Sequence, residues 1–455
     1  MSTKNFNELG EKPVGRLLMQ YAIPAIVAMT ASSLYHIIDG IFIGQGVGPA
    51  AIMGLALTGP IMSLTAAFGA MVGVGGSTLM SVKLGQKDYN VAQDILANVV
   101  IMNIAMGVTL GAVLLYFLDD ILYFFGASDV TIGPARDFMT IILLGNVFTH
   151  LYLGLNALLR STNRPKHAMY ATFGTVLLNC IFAPLFIFGF KLGIQGAAIA
   201  TILSQCVMLI WELRLFILPD EPIRLSWDRM HVKPAILKES LIIGAPNFLI
   251  NLCACLVAIF VTRSMTQYGG DIAVGAFGVV NRLAIFVVMI VIGLNHGMQP
   301  IAGFNYGAKL YDRILKVLKL SVLVATVITT LGFAVGTFFP EHCVMLFAKD
   351  SPELIEAAAH GLSIYVMFFP FIGMQIVSTA FFQSIGHAGK SIFLSLTRQL
   401  IFLIPAILII PQFMDNKVDG VWYAMPFSDA CATLLSCILL YKQVRILQKH
   451  VIEYK

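Results

Sequence analysis

The pentapeptide GQKDY at Gly85–Tyr89 recurs 222 residues later as GAKLY at Gly307–Tyr311. The same shift places Pro24 on Pro246, and no gap is needed in between. Glycine, lysine and tyrosine at the same three positions are a more specific match than single glycines in this composition. The spacing therefore predicts that the chain is an internal duplication of two similar halves.

The residues around both copies of the motif are apolar enough to lie in a membrane. Apolar residues make up 58% of the 455 residues and charged residues only 12%, against about 25% charged residues in soluble domains. This composition excludes a soluble enzyme and a disordered chain. The apolar runs continue over helix length instead of alternating, which predicts transmembrane α-helices and argues against a β-barrel. Hydropathy predicts twelve spans, centred in residues 17–42, 50–80, 93–118, 137–159, 168–190, 194–217, 237–263, 272–302, 316–339, 357–384, 391–413 and 419–441.

The repeat and the spans together predict the architecture. Each repeat holds six spans, and an even number gives both halves the same orientation, with a pseudo-axis along the membrane normal. We predict an all-α integral membrane protein with twelve transmembrane helices in two parallel six-helix lobes. The N-lobe is predicted over residues 1–217, a cytoplasmic linker over 218–236 and the C-lobe over 237–455.

Lysine and arginine predict the orientation of the chain. With both termini on one side of the membrane, 23 of the 29 Lys and Arg residues fall on that side, in the termini and in loops near 85, 163, 225, 312 and 392. Five fall on the other side, and Arg282 lies inside a span. Because cytoplasmic loops carry an excess of Lys and Arg, both termini are predicted to be cytoplasmic. The net charge of +5 follows from this topology and gives no reason to expect nucleic-acid binding.

Asp39 is one of three charged residues predicted inside spans, where a charge costs about 3 kcal/mol or more. Tyr35 and His36 precede it by four and three residues, so all three share one helical face. A carboxylate in a cavity of low dielectric constant can take up and release a proton near neutral pH, and a histidine beside it can tune that proton. The stretch predicts a proton-coupling site. The structural alternative is that Asp39 and His36 only form hydrogen bonds between helices.

Arg282 and Asp429 are the other two charges, in the eighth and twelfth predicted spans. They either form a buried pair that holds two helices in register, or line the cavity of the C-lobe and act on substrate. Pro24 and Pro246 lie inside the first and seventh spans, where proline removes a backbone hydrogen bond and bends a helix. That bend is either simple curvature or one that changes when Asp39 is protonated.

The remaining motifs argue against an enzyme or an ATP-driven pump. The glycine-rich stretches at 44–48 and 73–76 follow no strand and lack the Gly-Lys-Ser/Thr of a phosphate loop. No cysteine pair has metal-ligand spacing, and His150, His296 and His360 are scattered over three spans. The sequence therefore predicts no catalytic residues, no metal site and no cofactor, so any pump here would be driven by an ion gradient.

Five segments of the chain resemble the multidrug and toxic compound extrusion (MATE) family, in particular its MepA-like branch, which is related to DinF-type members. The likeness covers essentially the whole chain. It implies a V-shaped fold of two six-helix lobes in a bacterial cytoplasmic (inner) membrane. It also implies export of amphipathic, often cationic small molecules by antiport and alternating access, by a monomer in the lipid bilayer. The segments are residues 34–48, 83–87, 193–201, 299–308 and 426–429.

The resemblance also implies a cation site in the N-lobe. Asp39 matches the family's Asp of the first span and Asn179 its Asn of the fifth span, while Asn156 and Thr201 match by spacing. Relatives commonly carry a second Asp four residues after the fifth-span Asn, but this chain has Ala183 there. One carboxylate disfavours a sodium cage, because sodium prefers several oxygen ligands. The seventh span also lacks the Glu of sodium-coupled NorM-type members, so the resemblance favours H+ over Na+.

Two alternatives to an exporter of cationic compounds stay open. One is a flippase for lipid-linked precursors, although such proteins tend to have more spans and a more cationic cavity. The other is an exporter of anionic amphiphiles, which Arg282 would suit. An integral-membrane enzyme acting on lipid would need clustered histidines or carboxylates near an interface.

Overall fold

The computed structural model describes the protein as a set of long helices. It covers the backbone of residues 4–47, 49–125, 127–129, 131–218, 222–346 and 351–453. The side chains at 4–7, 35–41, 44–46, 49–54 and 56–57 lie outside the described residues.

In the described part of the first half there are nine α-helices and a π-helical segment at Leu185–Gly189. The helices are α1 Lys4–Glu11, α2 Val14–Gly46, α3 Pro49–Gly85, α4 Tyr89–Tyr116, α5 Leu118–Phe124, α6 Ile132–Leu144, α7 Asn146–Ser161, α8 Pro165–Pro184 and α9 Gly193–Ile217.

The second half is preceded by a 3-10 turn at Trp227–Arg229. Its α-helices are α10 Pro234–Gly307, α11 Tyr311–Phe338, α12 Pro340–Met345, α13 Pro352–Tyr365, α14 Phe369–Ser384, α15 Ala388–Leu396, α16 Ile404–Ile409 and α17 Lys417–Glu453. A 3-10 turn at Val366–Phe368, a π-helical segment at Thr397–Leu403 and a 3-10 turn at Ile410–Phe413 connect some of them.

The predicted helical membrane fold is confirmed. Within the described residues, ten helices are long and apolar enough to cross a membrane, or eleven if α6 and α7, bent by 55°, form one broken span. The 74-residue α10 is interrupted at Gly270, where φ is 63° and ψ is −157°. This break falls between the predicted seventh and eighth spans. If both arms of α10 cross the membrane the number is twelve, and the exact count stays a prediction.

The repeated pentapeptide is a helix-ending turn. Lys87 adopts a left-handed conformation with φ 61° and Lys309 does the same with φ 58°. The N–H of Asp88 donates to the Lys83 carbonyl at 2.9 Å, and the N–H of Leu310 donates to the Asn305 carbonyl at 2.9 Å. This is the Schellman arrangement, which satisfies the last carbonyls of a helix. The next helix starts at Tyr89 or Tyr311, so the repeat in sequence is a repeat in structure.

A second pair of turns follows the same repeat. Asn163 after α7 has φ 62°, and Gly386 after α14 has φ 78°. The residues after them donate their N–H groups back to Leu159 at 2.9 Å and to Phe382 at 2.8 Å. These two positions are 223 residues apart, so the internal duplication extends to the loops near 163 and 386.

Residue contacts divide the chain into two compact units. The first consists of Met1–Lys12 and Ile23–Phe248, and the second of Pro13–Ala22 and Leu249–Lys455. Each unit is mostly one half of the sequence with a short piece from the other half. The predicted bounds at 217, 236 and 237 stay predictions.

Small residues bring helices together within each unit. In the first unit, a Cβ added at Gly73 on α3 would lie 2.9 Å from the Cα of Gly154 on α7. In the second, a Cβ at Gly373 on α14 would lie 2.7 Å from the carbonyl carbon of Ala325 on α11. Because lipid is as apolar as leucine, such close backbone contact replaces the hydrophobic effect as the force that packs spans.

The residues before α10 are tied to α4 inside the first unit. The Asp94 carboxylate, 6% exposed, pairs with Lys233 at 2.5 Å and with Arg229 at 3.3 Å. The Asn98 side chain accepts the Lys233 N–H at 2.8 Å and donates to the His231 carbonyl at 3.3 Å. The segment that leads into α10 is therefore held by a buried acid and an amide.

The left-handed turn at Gly386 predicts opposite effects of two nearby substitutions. An added Cβ meets nothing within 4 Å at either Gly386 or Gly389, so neither change causes a clash. Gly386→Ala should destabilise the protein by about 1 kcal/mol, because alanine disfavours this conformation. Gly389→Ala lies inside α15 and should stabilise it by up to about 1 kcal/mol. Thermal unfolding of the two purified variants checks this, and shifts of the same sign would contradict it.

Candidate functional site

A small polar cavity of about 190 Å³ lies in the first unit. Residues of α2, α7, α8 and α9 form its wall: Ser32, Tyr152, Leu153, Thr172, Thr175, Val176, Asn179, Thr201 and Gln205. Polar groups inside apolar spans cost free energy, so a cluster of them usually marks a functional site. This cavity is therefore the candidate site in the N-terminal half.

Asn179 and Thr201, both predicted for the cation site, meet at this cavity. The Asn179 Nδ2 donates to the Thr201 Oγ1 at 3.2 Å. Asn179 is 2% exposed and Thr201 8%. Their helices, α8 and α9, pack side by side, and this contact joins them at the cavity wall.

Toward a bound molecule, the hydroxyl groups of the cavity wall would act mainly as hydrogen-bond acceptors. Thr172, Thr175 and Thr201 donate their hydroxyl protons to the carbonyls four residues earlier on their own helices, at 3.1, 3.0 and 3.1 Å. A hydroxyl has one donor and two lone pairs, so a hydroxyl whose proton is used in this way can meet another group only as an acceptor. Such a wall suits a proton-bearing or cationic group better than an anion.

Asn156, the third described residue of the predicted site, lies one layer behind the wall. Its Nδ2 is 3.4 Å from the Thr172 Oγ1 and donates to the Ala168 carbonyl at 3.0 Å. It reaches the cavity through Thr172. The structure thus brings Asn179 and Thr201 together and connects Asn156 to them indirectly.

The side chains of Tyr35, His36 and Asp39 lie outside the described residues. Their backbone belongs to α2, which is helical from Val14 to Gly46. Their roles in coupling stay predictions.

Ala183, which stands where relatives carry a second aspartate, is part of an apolar core. It is fully buried and packs in a cluster with Ile187, Ile194 and Ala197. Its methyl group adds to this apolar contact and supplies no oxygen ligand. The surroundings of this position therefore match the alanine.

A larger cavity of about 480 Å³ adjoins the first one. The two share Leu153, Thr201 and Gln205 in their walls. Thr149 donates to the Gln205 Oε1 at 2.5 Å and fixes that amide. The remainder of the wall is largely apolar, with Leu55, Met62, Ser63, Thr65, Phe138, Ile142 and Ile202 among its members. Its size and apolar lining are typical of a site for a small organic molecule.

Beyond Asn156 lies a buried acid that the sequence analysis missed. Asn156 Nδ2 also donates to the Glu212 Oε1 at 3.1 Å, and Glu212 is fully buried in α9. Arg160 donates to the Asn156 Oδ1 at 2.7 Å. The amide of Asn156 therefore stands between an arginine and a glutamate.

In the second unit, Asp429 on α17 pairs with Arg398. The Arg398 Nε donates to the Asp429 Oδ1 at 2.9 Å, and the Ser428 hydroxyl donates to the Arg398 carbonyl at 2.7 Å. Among the described residues, the ion-pair partner of Asp429 is Arg398 and not Arg282. Arg282 is exposed on α10, and its role toward substrate stays a prediction.

The two predicted bend residues lie inside continuous helices. Pro24 is buried in α2 and Pro246 is buried in α10. Neither helix ends at its proline. Whether either bend changes on protonation stays a prediction.

Glu212 and Arg398 fall inside the predicted ranges 194–217 and 391–413, but each lies near one end of its range and was assigned to the cytoplasmic side. Glu212 is two residues from Arg214, and Arg398 falls in the loop charges assigned near 392, so both were counted as cytoplasmic. The signal for Glu212 is its position within residues 193–217, a mostly apolar run that is helical to Ile217 and in which Arg214 is the other charged residue. The signal for Arg398 is that the apolar run around it extends from Ala388 to Phe413.

Long apolar helices, an internal duplication and two adjoining cavities inside one unit, one polar and one largely apolar, define the class: a multi-pass membrane transporter. A model of the MatE family matches residues 24–185 and 246–408. Its two matches begin 222 residues apart, which is the spacing of the repeat in the sequence. The chain belongs to the MatE family, whose members are secondary transporters and not enzymes.

Several characterised proteins resemble this chain over nearly its full length. The multidrug export protein MepA of Staphylococcus haemolyticus (strain JCSC1435) is 25% identical over 433 residues, covering 95% of this chain and 94% of MepA. The structure of the MATE multidrug transporter DinF-BH in complex with rhodamine 6G is 34% identical, with a TM-score of 0.88, and covers 95% of this chain and 96% of that one. A crystal structure of MATE in complex with MaL6, 22% identical, has a TM-score of 0.93 over 98% of this chain and all of that chain, which shows the same fold.

The Arg398–Asp429 pair predicts a non-additive effect on stability. Arg398→Gln leaves the buried Asp429 carboxylate without its partner and should cost about 3–5 kcal/mol, while Asp429→Asn leaves the partly exposed Arg398 unpaired and should cost less. The double variant removes both charges and should be more stable than either single variant. Thermal unfolding of purified protein checks this, with Arg282→Gln at an exposed site as control. A double variant as unstable as the sum of the singles would contradict it.

Proposed function

We propose that this protein exports amphipathic, often cationic compounds in exchange for protons, with Asp39 as the residue that binds the coupling proton. The observation that carries the cationic preference is the polar cavity. Three of its hydroxyls donate their protons to their own helices, so they can meet a bound molecule only as acceptors. The apolar cavity beside it offers room for the remainder of an amphipathic molecule.

The position of Asp39 on α2 supports its assignment. Ser32, in the same helix, lines the polar cavity. Position 39 follows it by seven residues, which is two helical turns, so both positions fall on one face of α2. The predicted coupling position therefore shares the face that contributes to the site.

Protons fit the site better than sodium ions. A sodium cage would need several oxygen ligands, and Ala183 contributes an apolar methyl group in an apolar core where relatives have a second acid. One ionisable carboxylate suffices for a proton. We propose H+ as the coupling ion, without a further cofactor.

The proposed cycle needs only one titrating carboxylate. With Asp39 ionised and the site open to the cytoplasm, a cationic compound enters. After the site opens to the outside, a proton neutralises Asp39 and the compound leaves. The proton is then released inside. In this scheme α2 shifts near Pro24 when Asp39 is protonated.

The proton gradient sets the size of the effect. One proton moving down 100 mV and one pH unit releases about 3.7 kcal/mol, from about 2.3 and about 1.4 kcal/mol. That sustains a gradient of roughly 500-fold for a neutral compound. For a monovalent cation exchanged one for one the voltage cancels, which leaves about tenfold per pH unit.

The location follows from the distribution of charge. The loops on the side of both termini carry most of the Lys and Arg residues, so we propose a bacterial cytoplasmic (inner) membrane with both termini inside. We further propose that the protein works as a monomer in the lipid bilayer.

The test is export of rhodamine 6G, the compound bound to the relative DinF-BH. Cells that lack their own pumps should accumulate less of this dye when they make the wild-type protein. Asp39→Asn should abolish that difference, because the neutral amide cannot take up the proton, and so should collapse of the pH gradient. The loss expected for a cationic dye is about tenfold per pH unit of gradient. Asp120→Asn, at an exposed aspartate, is the matched control and should export normally.

Three results would count against this proposal. Full export by Asp39→Asn would remove the coupling role of that residue. Export that follows an imposed Na+ gradient in lipid vesicles, and not a pH gradient, would replace the ion. Export of an anionic dye in preference to rhodamine 6G would favour the alternative based on Arg282.

A further inference from the structure

Glu212 is a buried carboxylate that coupling at Asp39 does not use. It is fully buried, and its Oε1 accepts a hydrogen bond from Asn156 at 3.1 Å. Its Oε2 is also buried and has no hydrogen-bond partner. An ionised carboxylate needs donors on both oxygens, so this arrangement is costly for the charged form. A proton on Oε2 would remove that cost.

Arg160 acts in the opposite direction. It lies on α7 and donates to the Asn156 Oδ1 at 2.7 Å, so its charge is one amide away from Glu212. Among the described residues, no ion pair within 4.0 Å joins Arg160 directly to the carboxylate. The arginine favours the ionised acid and the orphaned oxygen favours the protonated one. A group held between two such influences can change its protonation state during a cycle.

Other titratable groups surround the acid from each helix packed against it. Tyr152 and Arg160 on α7 are close enough to interact electrostatically with Glu212. On α8, His167 stacks on Trp211 with ring centroids 5.8 Å apart. Arg214 lies two residues further along α9 and is exposed.

The acid is connected to the polar cavity by a short chain of contacts. Asn156 binds Glu212 on one side and lies 3.4 Å from the Thr172 Oγ1 on the other. Thr172 and Tyr152 both line the cavity. The charge state of Glu212 and Arg160 therefore changes the electrostatic potential at the cavity wall. A low dielectric constant strengthens electrostatic interactions, so this change is larger than it would be in water.

We propose that Glu212 is a second proton-binding site of the transport cycle, which acts on the cavity through Asn156 and Arg160. A proton taken from water forms an O–H bond at Oε2. The acid becomes neutral, and Arg160 is left as an uncompensated cation behind the cavity wall. That charge repels a cationic guest, and loss of the proton to water restores the neutral pair and admits the guest again.

This inference rests on the proposed function, but its test does not depend on transport. The infrared difference spectrum of purified wild-type protein in lipid, between acidic and mildly alkaline buffer, reports carboxyl groups that change protonation. Wild type should show a C=O band of a buried, protonated carboxyl that appears on acidification. Glu212→Gln should lose that band, and Glu239→Gln, at an exposed glutamate, should retain it.

A second measurement separates a proton site from a structural role. Binding of rhodamine 6G to purified protein should weaken on acidification in the wild type. In Glu212→Gln, the dye should still bind but with a smaller dependence on pH, while Asp39→Asn should keep the part due to Glu212. A merely structural Glu212 would leave the pH dependence unchanged.

Arg160→Gln keeps a donor for Asn156 and serves if Glu212→Gln does not fold. Without the positive charge the infrared band should appear at higher pH than in the wild type. An infrared spectrum that is the same in wild type and Glu212→Gln overturns the proposal, and so does an unchanged transition in Arg160→Gln. Loss of dye export in Asp39→Asn with an intact Glu212 band would support the proposed function and this inference separately.

Discussion

In the hydrocarbon of a membrane every backbone N–H and C=O group must find a partner inside the protein. The long helices follow from this constraint, and so do the places where they are irregular. At the π-helical segment Thr397–Leu403, the Arg398 carbonyl accepts the Ser428 hydroxyl from the neighbouring helix at 2.7 Å. The irregular turn is therefore satisfied by a side chain, and the same turn presents the Arg398 side chain to Asp429. One irregular turn thus satisfies both a backbone carbonyl and a buried carboxylate.

The same constraint shapes the polar cavity in the first unit. Threonine hydroxyls in its wall bond to carbonyls on their own helices, which satisfies the donors but leaves the oxygens as acceptors. A cavity built this way has a chemical preference before any charged residue is added. Cationic groups and protons are the guests that use those lone pairs.

The apolar helices and the repeat could be predicted from the sequence, and the family resemblance assigned Asn179 and Thr201 to one site. The apolar helices could be predicted because hydropathy is a property of long segments. Asn179 and Thr201 could be assigned because the family has polar residues at the matching positions of its fifth and sixth spans. The Schellman turns at Lys87 and Lys309 explain why the pentapeptide recurs. The left-handed conformation of these two lysines could not be predicted, because no sequence pattern indicates it. The partner of Asp429 could not be predicted, because Arg398 reads as a loop charge when a span is placed only to within a few residues. Glu212 was hidden in the same way, since burial near a helix end depends on which neighbouring helix covers it.

Charge compensation decides how such a protein can respond to protons. Arg160 faces Glu212 across Asn156, and Arg398 contacts Asp429 directly. The direct pair gains from both Coulomb attraction and a hydrogen bond, so removing either charge is costly and the pair is suited to holding two helices. The bridged pair lacks that contact and leaves one carboxylate oxygen without a donor. The ionised form of Glu212 therefore has fewer stabilising contacts than that of Asp429. Of the two pairs, the bridged one is the better proton switch, and it is also the one that adjoins the polar cavity.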